Sequence, residues 1–242
     1  MNKHLVSVTC CAVLIGNVNA DDHWYGSATG GASLLNDMRT HGVNYNGQDL
    51  SDARLREDLA AGYFVGASFG RSIAEHWRVE AEFLYNQNDL DHLAIRTDGG
   101  LGAALGGGST AGSRLPGKGD TEAKTLLANA FYDFQFQQFR PYLGAGLGIA
   151  HITINDSRAI NLRSLQATAP VDDASIADSS DTVFAYQVGA GIGYPIRPGL
   201  TASVDYRFLS GLDPEFRIAG TASTYHTNYH TNNVGMSLRF DF

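Results

Sequence analysis

Residues 184–209 read FAYQVGAGIGYPIRPGLTASVDYRFL, two alternating runs joined by a Pro-containing break. In the first run Phe184, Tyr186, Val188, Ala190, Ile192 and Tyr194 alternate with Ala185, Gln187, Gly189, Gly191 and Gly193. In the second, Leu200, Ala202, Val204, Tyr206 and Phe208 alternate with Thr201, Ser203, Asp205 and Arg207. A period of two specifies strands with one apolar face and one small or polar face. Each run is about 10 residues long, with aromatics at both ends of its apolar face, the pattern of a strand that crosses a bilayer in a closed barrel. Period alone does not say which face is inside. A soluble sandwich or lipocalin-like barrel would use the same hairpin with the apolar face inward.

The rest of the chain repeats the plan. Alternation marks strands at 24–34, about 59–69, 77–85, about 124–134 and about 141–154, then the two of the opening hairpin and a last one ending at Phe242. In the second strand Leu59, Ala61, Tyr63, Val65, Ala67 and Phe69 share a face; in the third Trp77, Val79, Ala81, Phe83 and Tyr85 do. At 151–154 the fifth strand changes phase, which predicts a bulge. The connections run long, short, long, short, long, short, long. The expected polar loops lie at about 35–58, 88–121, 155–182 and 211–228, the second with a Gly-rich core at 99–112 expected to be a flexible surface segment. This predicts an all-β fold, an eight-stranded antiparallel up-and-down transmembrane β-barrel with long extracellular loops and short periplasmic turns.

The aromatic residues give a separate test of which face is outside. With the short turns on one side, Trp24, Phe69, Trp77, Tyr132, Phe134, Tyr194 and Phe242 fall at that end and Tyr63, Phe83, Tyr85, Phe184, Tyr186 and Phe208 at the other, all on the apolar face. Two girdles at the rims fit a membrane barrel, whereas a soluble barrel would place such residues at its centre.

Residues 1–20 read as a cleaved secretory signal peptide: Lys3, an apolar run over 5–15 and a Val18-Asn19-Ala20 cleavage site. The barrel domain is then 21–242. Cys10 and Cys11, the two cysteines of the chain, sit inside the apolar run and leave with the leader. The expected mature chain has no disulfide and no cysteine-ligated metal. The net charge of −8, made more negative by the loss of Lys3, argues against nucleic acid as a partner.

The leader, the eight alternating strands and the segments TLLANAFYDF (125–134), RPYLGAGLGIA (140–150), VGAGIGY (188–194) and SLRFDF (237–242) resemble the opacity-type small outer-membrane barrels, which group with the transmembrane domain of outer membrane protein A. The resemblance spans roughly the whole mature chain and is weakest in the loops. It implies a cell outer membrane location, lipid and lipopolysaccharide as surroundings, and periplasmic chaperones and the barrel assembly machinery as partners in biogenesis. The alternation Val234, Met236, Leu238, Phe240, Phe242 resembles the signal that this machinery reads. Members act as surface antigens, adhesins, tethers or very narrow pores, with host or surface ligands bound through loops. The family shares no catalytic residues. The chain stops at its last strand, so a peptidoglycan-binding tail is not expected.

The glycine runs at 144–148 and 189–193 are spaced inside strands and open no helix, so they do not make a dinucleotide loop. Arg78, Glu80, Glu82, Asp205, Arg207 and Arg239 fall on the inward face. A barrel of this strand number is just wide enough to be filled by side chains. Charges there must pair or meet trapped water, so an ion-pair network that plugs the lumen is expected, with a narrow low-conductance porin as the alternative. His226 and His230, placed on one strand, would stand about 13 Å apart, too far to share a metal. Asp172, Asp173, Asp178 and Asp181 make the third loop acidic, read as a solvated loop. A lipid A-modifying hydrolase would need Ser, His and an acid near the last strands. The expected His-Ser neighbourhood is absent around His230, flanked by Tyr229 and Thr231. No cofactor, metal site or catalytic activity is expected.

Overall fold

The computed structural model describes residues 23–35, 38–39, 41–45, 48–50, 54–59, 61–96, 113–136, 138–159, 175–217, 224–226 and 228–242. The expected leader and the centre of the Gly-rich segment lie outside them. In chain order the strands are β1 (Trp24–Leu35), β2 (Met38–Arg39), β3 (His41–Tyr45), β4 (Gln48–Leu50), β5 (Arg54–Leu59), β6 (Ala61–Ser72), β7 (Trp77–Arg96), β8 (Ser113–Asp133), β9 (Arg140–Ala159), β10 (Ser175–Arg197), β11 (Leu200–Gly211), β12 (Glu215–Arg217), β13 (Thr224–His226) and β14 (Tyr229–Asp241).

Eight of these form the barrel wall. Each of β1, β6, β7, β8, β9, β10, β11 and β14 pairs antiparallel with its neighbours, β7 with β8 and β1 with β14 completing the ring. Closure pairs the backbone groups within the wall, which is what a sheet needs in hydrocarbon. At the turn end the termini meet: Trp24 and Phe242 exchange backbone hydrogen bonds of 3.2 and 2.8 Å. Of the three turns that join wall strands at this end, that between β10 and β11 is the shortest, with Gly199 at a φ of 74° that side chains with a Cβ rarely adopt.

Parity holds along the wall. Leu126, Leu143, Leu147, Ile149, Val188, Ile192, Val204 and Met236 stand outward and exposed, while their sequence neighbours turn in. The rims are aromatic. At the turn end Trp24 stacks on Phe69 at 5.1 Å, Phe69 lies 6.3 Å from Phe242, and Trp77, Tyr132 and Phe134 follow at 5.2 and 5.0 Å. At the loop end Tyr63 meets Tyr85 at 6.3 Å and Tyr186 meets Phe208 at 6.2 Å. The Tyr63 hydroxyl donates to Gln87 Oε1 at 2.7 Å and that of Tyr206 to Asn232 Oδ1 at 2.6 Å, so the upper rings keep polar tips. Phe83, Phe184 and Tyr194 are also outward and about half exposed.

Several sequence expectations need correction. The wall strands β7 to β10 have 20, 21, 20 and 23 residues, about twice what crosses hydrocarbon. The segments read as loops at 88–121 and 155–182 therefore begin and end as strand, β7 reaching Arg96, β8 starting at Ser113, β9 reaching Ala159 and β10 starting at Ser175, with the β7–β8 ladder running out to Ile95 and Ser113. Beyond the bilayer both faces meet water, so apolar alternation ceases although pairing continues. Leu59 belongs to β5 rather than β6, and the expected loops at 35–58 and 211–228 hold short strands. Of these β12, β13, β3 and β4 form a separate four-stranded sheet.

No bulge forms at 151–154. The register of β9 runs unbroken from Ala150 to Ile154 against β10, and the shifts lie farther out, between Ser175 and Ser179. What changes there is the content of the inward face, from the glycines of 144–148 to the buried Ile152 and Ile154.

Glycine on the inner wall makes room for rings on strands one or two away around the barrel. A Cβ at Gly235 would stand 2.5 Å from the Phe64 ring, and one at Gly144 would run into the ring of Phe131. Gly235→Val should therefore reduce the folded fraction well below wild type, read as loss of the fast-migrating unboiled band on a heat-modifiability gel.

Candidate functional site

The inward face of the barrel is the site, and its charges come from opposed walls. Alternation on β7 aims Arg78, Glu80 and Glu82 inward, and alternation on β11 aims Asp205 and Arg207. These strands lie four apart around an eight-stranded ring, so a contact between them spans the lumen. Arg207 makes it, pairing with Glu82 across the barrel and, through Nε, with Asp205 Oδ1 at 2.7 Å on its own strand. Glu82 is 1% exposed and Arg207 8%. Asn129 and Gln187 donate to Glu82 Oε2 at 2.7 and 3.1 Å, and Ser237 donates to Asp205 Oδ2 at 2.6 Å. Buried charges need this degree of hydrogen bonding, because their desolvation otherwise exceeds their attraction.

The other expected members have different partners. Arg78 pairs through Nε with Asp133 Oδ2 at 2.7 Å, and its guanidinium lies over Phe131 at 4.6 Å and Tyr142 at 5.0 Å. Glu80 accepts from Tyr25 at 2.9 Å, Ser68 at 3.0 Å and Asn129 at 3.3 Å. Arg239 lies 3.1 Å from Asp241 Oδ1, close as a charge pair but not aligned as a hydrogen bond. Asn129, donating to both Glu80 and Glu82, ties Glu80 to the central group, so the six residues fall into three groups. The sequence reading missed Asp133, which follows Asn129 and Phe131 at period two, and the aromatic bed of Arg78. Asp241 was on the inward face but had not been counted as a partner.

The outer half of the lumen carries an apolar cluster beside buried amides and hydroxyls, among them Asn86, which donates to Ser33 Oγ at 3.1 Å and to Asn233 Oδ1 at 2.9 Å. Leu35, Phe64, Leu84, Leu127, Ile152, Ile154, Leu209, Phe216 and Tyr229 form one buried cluster. Phe216, on β12, is fully buried, and the Glu215 amide beside it donates to Asp181 Oδ2 at 2.9 Å. Asp181 therefore anchors β12 rather than facing only solvent. Asp172 and Asp173 lie outside the described residues.

His226 and His230 do not share a strand: the first is in β13 and the second in β14. His230 Nδ1 lies 2.9 Å from Ser210 Oγ and its ring is stacked on Phe208 at 5.7 Å. This is the one Ser–His contact near the last strands among the described residues. Ser210 is fully buried, and no carboxylate pairs with His230 among the described residues.

In the last strand Val234, Met236, Leu238, Phe240 and Phe242 all stand outward, from 44% exposed at Leu238 to 72% at Phe242.

Breaking the central pair should be costly. Glu82→Ala should lower stability by about 3–5 kcal/mol, while Glu82→Met, Asp205→Asn and Arg207→Met together, which leave no charge of the group unpaired, should recover most of the loss. Urea unfolding in lipid vesicles measures both.

Comparison with known proteins agrees with this geometry. The sequence profile described as outer membrane protein beta-barrel domain matches residues 10–242. An outer membrane protein of Gluconacetobacter diazotrophicus is 26% identical over 229 residues, 88% of this chain and 51% of that protein. Outer membrane protein PagN of Salmonella typhimurium is 24% identical over 126 residues, 51% of this chain and 48% of that protein. The chain spans about half the length of these curated relatives. Among solved structures, the outer membrane protein OprG of Pseudomonas aeruginosa superposes with a TM-score of 0.52 at 13% identity, covering 89% of this chain and 95% of that one, a likeness of fold.

Proposed function

Because the chain belongs to the outer membrane protein beta-barrel family and sits in the cell outer membrane, we propose that it is a non-catalytic barrel, residues 21–242 after loss of a leader, that presents its loops as an interaction surface. The observation behind this reading is the division of the molecule. The wall is closed and the lumen is filled from the Glu82–Arg207 level outward, while the long hairpins β7–β8 and β9–β10 and the sheet of β12, β13, β3 and β4 extend from one end. Loops on a rigid scaffold are where such proteins vary and bind. The partners are a surface or host ligand at the loops, lipopolysaccharide around the wall, and chaperones and the assembly machinery during biogenesis. The machinery would read the outward row Val234 to Phe242.

In this reading the lumen is plugged. The Glu82–Arg207–Asp205 group spans the middle and the apolar cluster seals the half above it. A porin would need a continuous wet path, and a hydrolase would need a Ser210 that substrate can reach.

Two outcomes follow. Wild-type protein in planar bilayers should be silent and Arg207→Ala should show openings; a steady open level in wild type would favour the narrow porin. Deletion of residues 97–112 should abolish binding of whole cells to a host-cell surface while the heat-modifiable band persists. Unaltered binding in this and the other loop deletions would count against the interaction role.

A further inference from the structure

Below the Glu82–Arg207 pair, toward the turn end, the lumen is not filled. A chamber of about 40 Å³ opens there, and it shares Asp133, Arg140 and Arg239 with a wider vestibule of about 400 Å³ at the barrel mouth. By the short-turn rule this mouth faces the periplasm. Four arginines line the chamber, Arg78, Arg140, Arg207 and Arg239, against two carboxylates, Glu80 and Asp133. The carboxylates that balance Arg207 and Arg239, namely Glu82, Asp205 and Asp241, do not line it.

Donor accounting sharpens the imbalance. Arg207 is engaged by Glu82 and Asp205, and Arg78 by Asp133 and two rings. Arg239 Nε is buried and makes no hydrogen bond. Arg140 has no ion-pair or side-chain hydrogen-bond partner among the described residues. Arg140, exposed at the mouth, and Arg239, whose Nε lies 3.1 Å from Asp241 Oδ1 without a hydrogen bond, thus line one small space together with the hydroxyls of Thr201 and Ser203. Guanidinium forks match the oxygen spacing of phosphate, and such hydrogen bonds are strong where water is scarce. The chamber has room for only a few water molecules, which fits a single oxyanion group.

We propose that this chamber is an anion site, filled from the periplasmic mouth by a small oxyanion of the phosphate class, with Arg140 and Arg239 as the residues that hold it. The site lies below the plug and needs no conduction through the barrel. It is therefore independent of what the loops bind.

The test is titration of folded protein in phosphate-free micelles with inorganic phosphate, followed by calorimetry and by ³¹P line broadening. Glycerol 3-phosphate is titrated in parallel to separate a free ion from a headgroup source. Saturable binding of inorganic phosphate, weakened about tenfold in Arg140→Gln and lost in Arg140→Gln with Arg239→Gln, supports the site. Tighter binding of glycerol 3-phosphate, lost in the same variants, supports the anion site and moves its source to headgroups. Lys124→Gln, at an exposed side chain of β8 away from the chamber, should bind as wild type does. Arg140 is at the exposed mouth, so its variant should keep the heat-modifiable band. No saturable binding by folded wild type, or undiminished binding by the double variant, overturns the proposal.

Discussion

Everything in this molecule depends on one constraint: a strand in hydrocarbon must find all its backbone partners in other strands. Eight strands meet it by closing the β7–β8 and β1–β14 ladders. Once the ring is closed, side-chain alternation becomes an inside–outside code. The exposed row of Leu, Ile and Val is then the solvated face, because its solvent is lipid. The aromatic pairs at the rims mark where that solvent ends.

The same closure creates the second problem, a narrow interior lined by whatever the code turns inward. The chain fills it in layers. Nearest the turn end lie Arg78 and Arg239 with Asp133, Asp241 and a bed of rings. In the middle, Arg207 joins opposite walls through Glu82. Above that, the apolar cluster takes over. Small residues on the wall are the counterpart of large ones on nearby strands, as Gly144 is to Phe131. Polar and apolar layers together do what a hydrophobic core does in a soluble domain, and they leave one unfilled space near the periplasmic mouth.

How much of this was legible in the sequence follows from where the code applies. Inside the bilayer the two faces meet different media, so period two is visible and the wall from Tyr63 to Tyr85 and from Tyr186 to Phe208 could be read directly. Outside it both faces are wet, and the extensions of β7 to Arg96 and of β10 from Ser175 carry no such signal. The residues Ile152 and Ile154 look out of phase because the sequence reading assumed a polar lumen throughout; they keep the register and fill an apolar layer. The inward charges were identifiable by parity, but their partners were not. Parity fixes a face and leaves height and cross-lumen distance open. It therefore could not show that Glu82 would meet Arg207 while Arg239 would stay with Asp241.

The measurement that tests the inside–outside assignment most directly is lipid quenching along β1. Fluorescent labels would be placed on single cysteines at each of Gly26, Ser27, Ala28, Thr29 and Gly30, where a side chain has room or is already present, in a Cys10→Ser, Cys11→Ser background, with the protein folded in vesicles that contain brominated lipid. Quenching with a period of two, strong at Gly26, Ala28 and Gly30 and weak at Ser27 and Thr29, is the expected result. Uniform weak quenching, or strong quenching at Ser27 and Thr29, would contradict it, and the apolar face would then have to line an interior cavity.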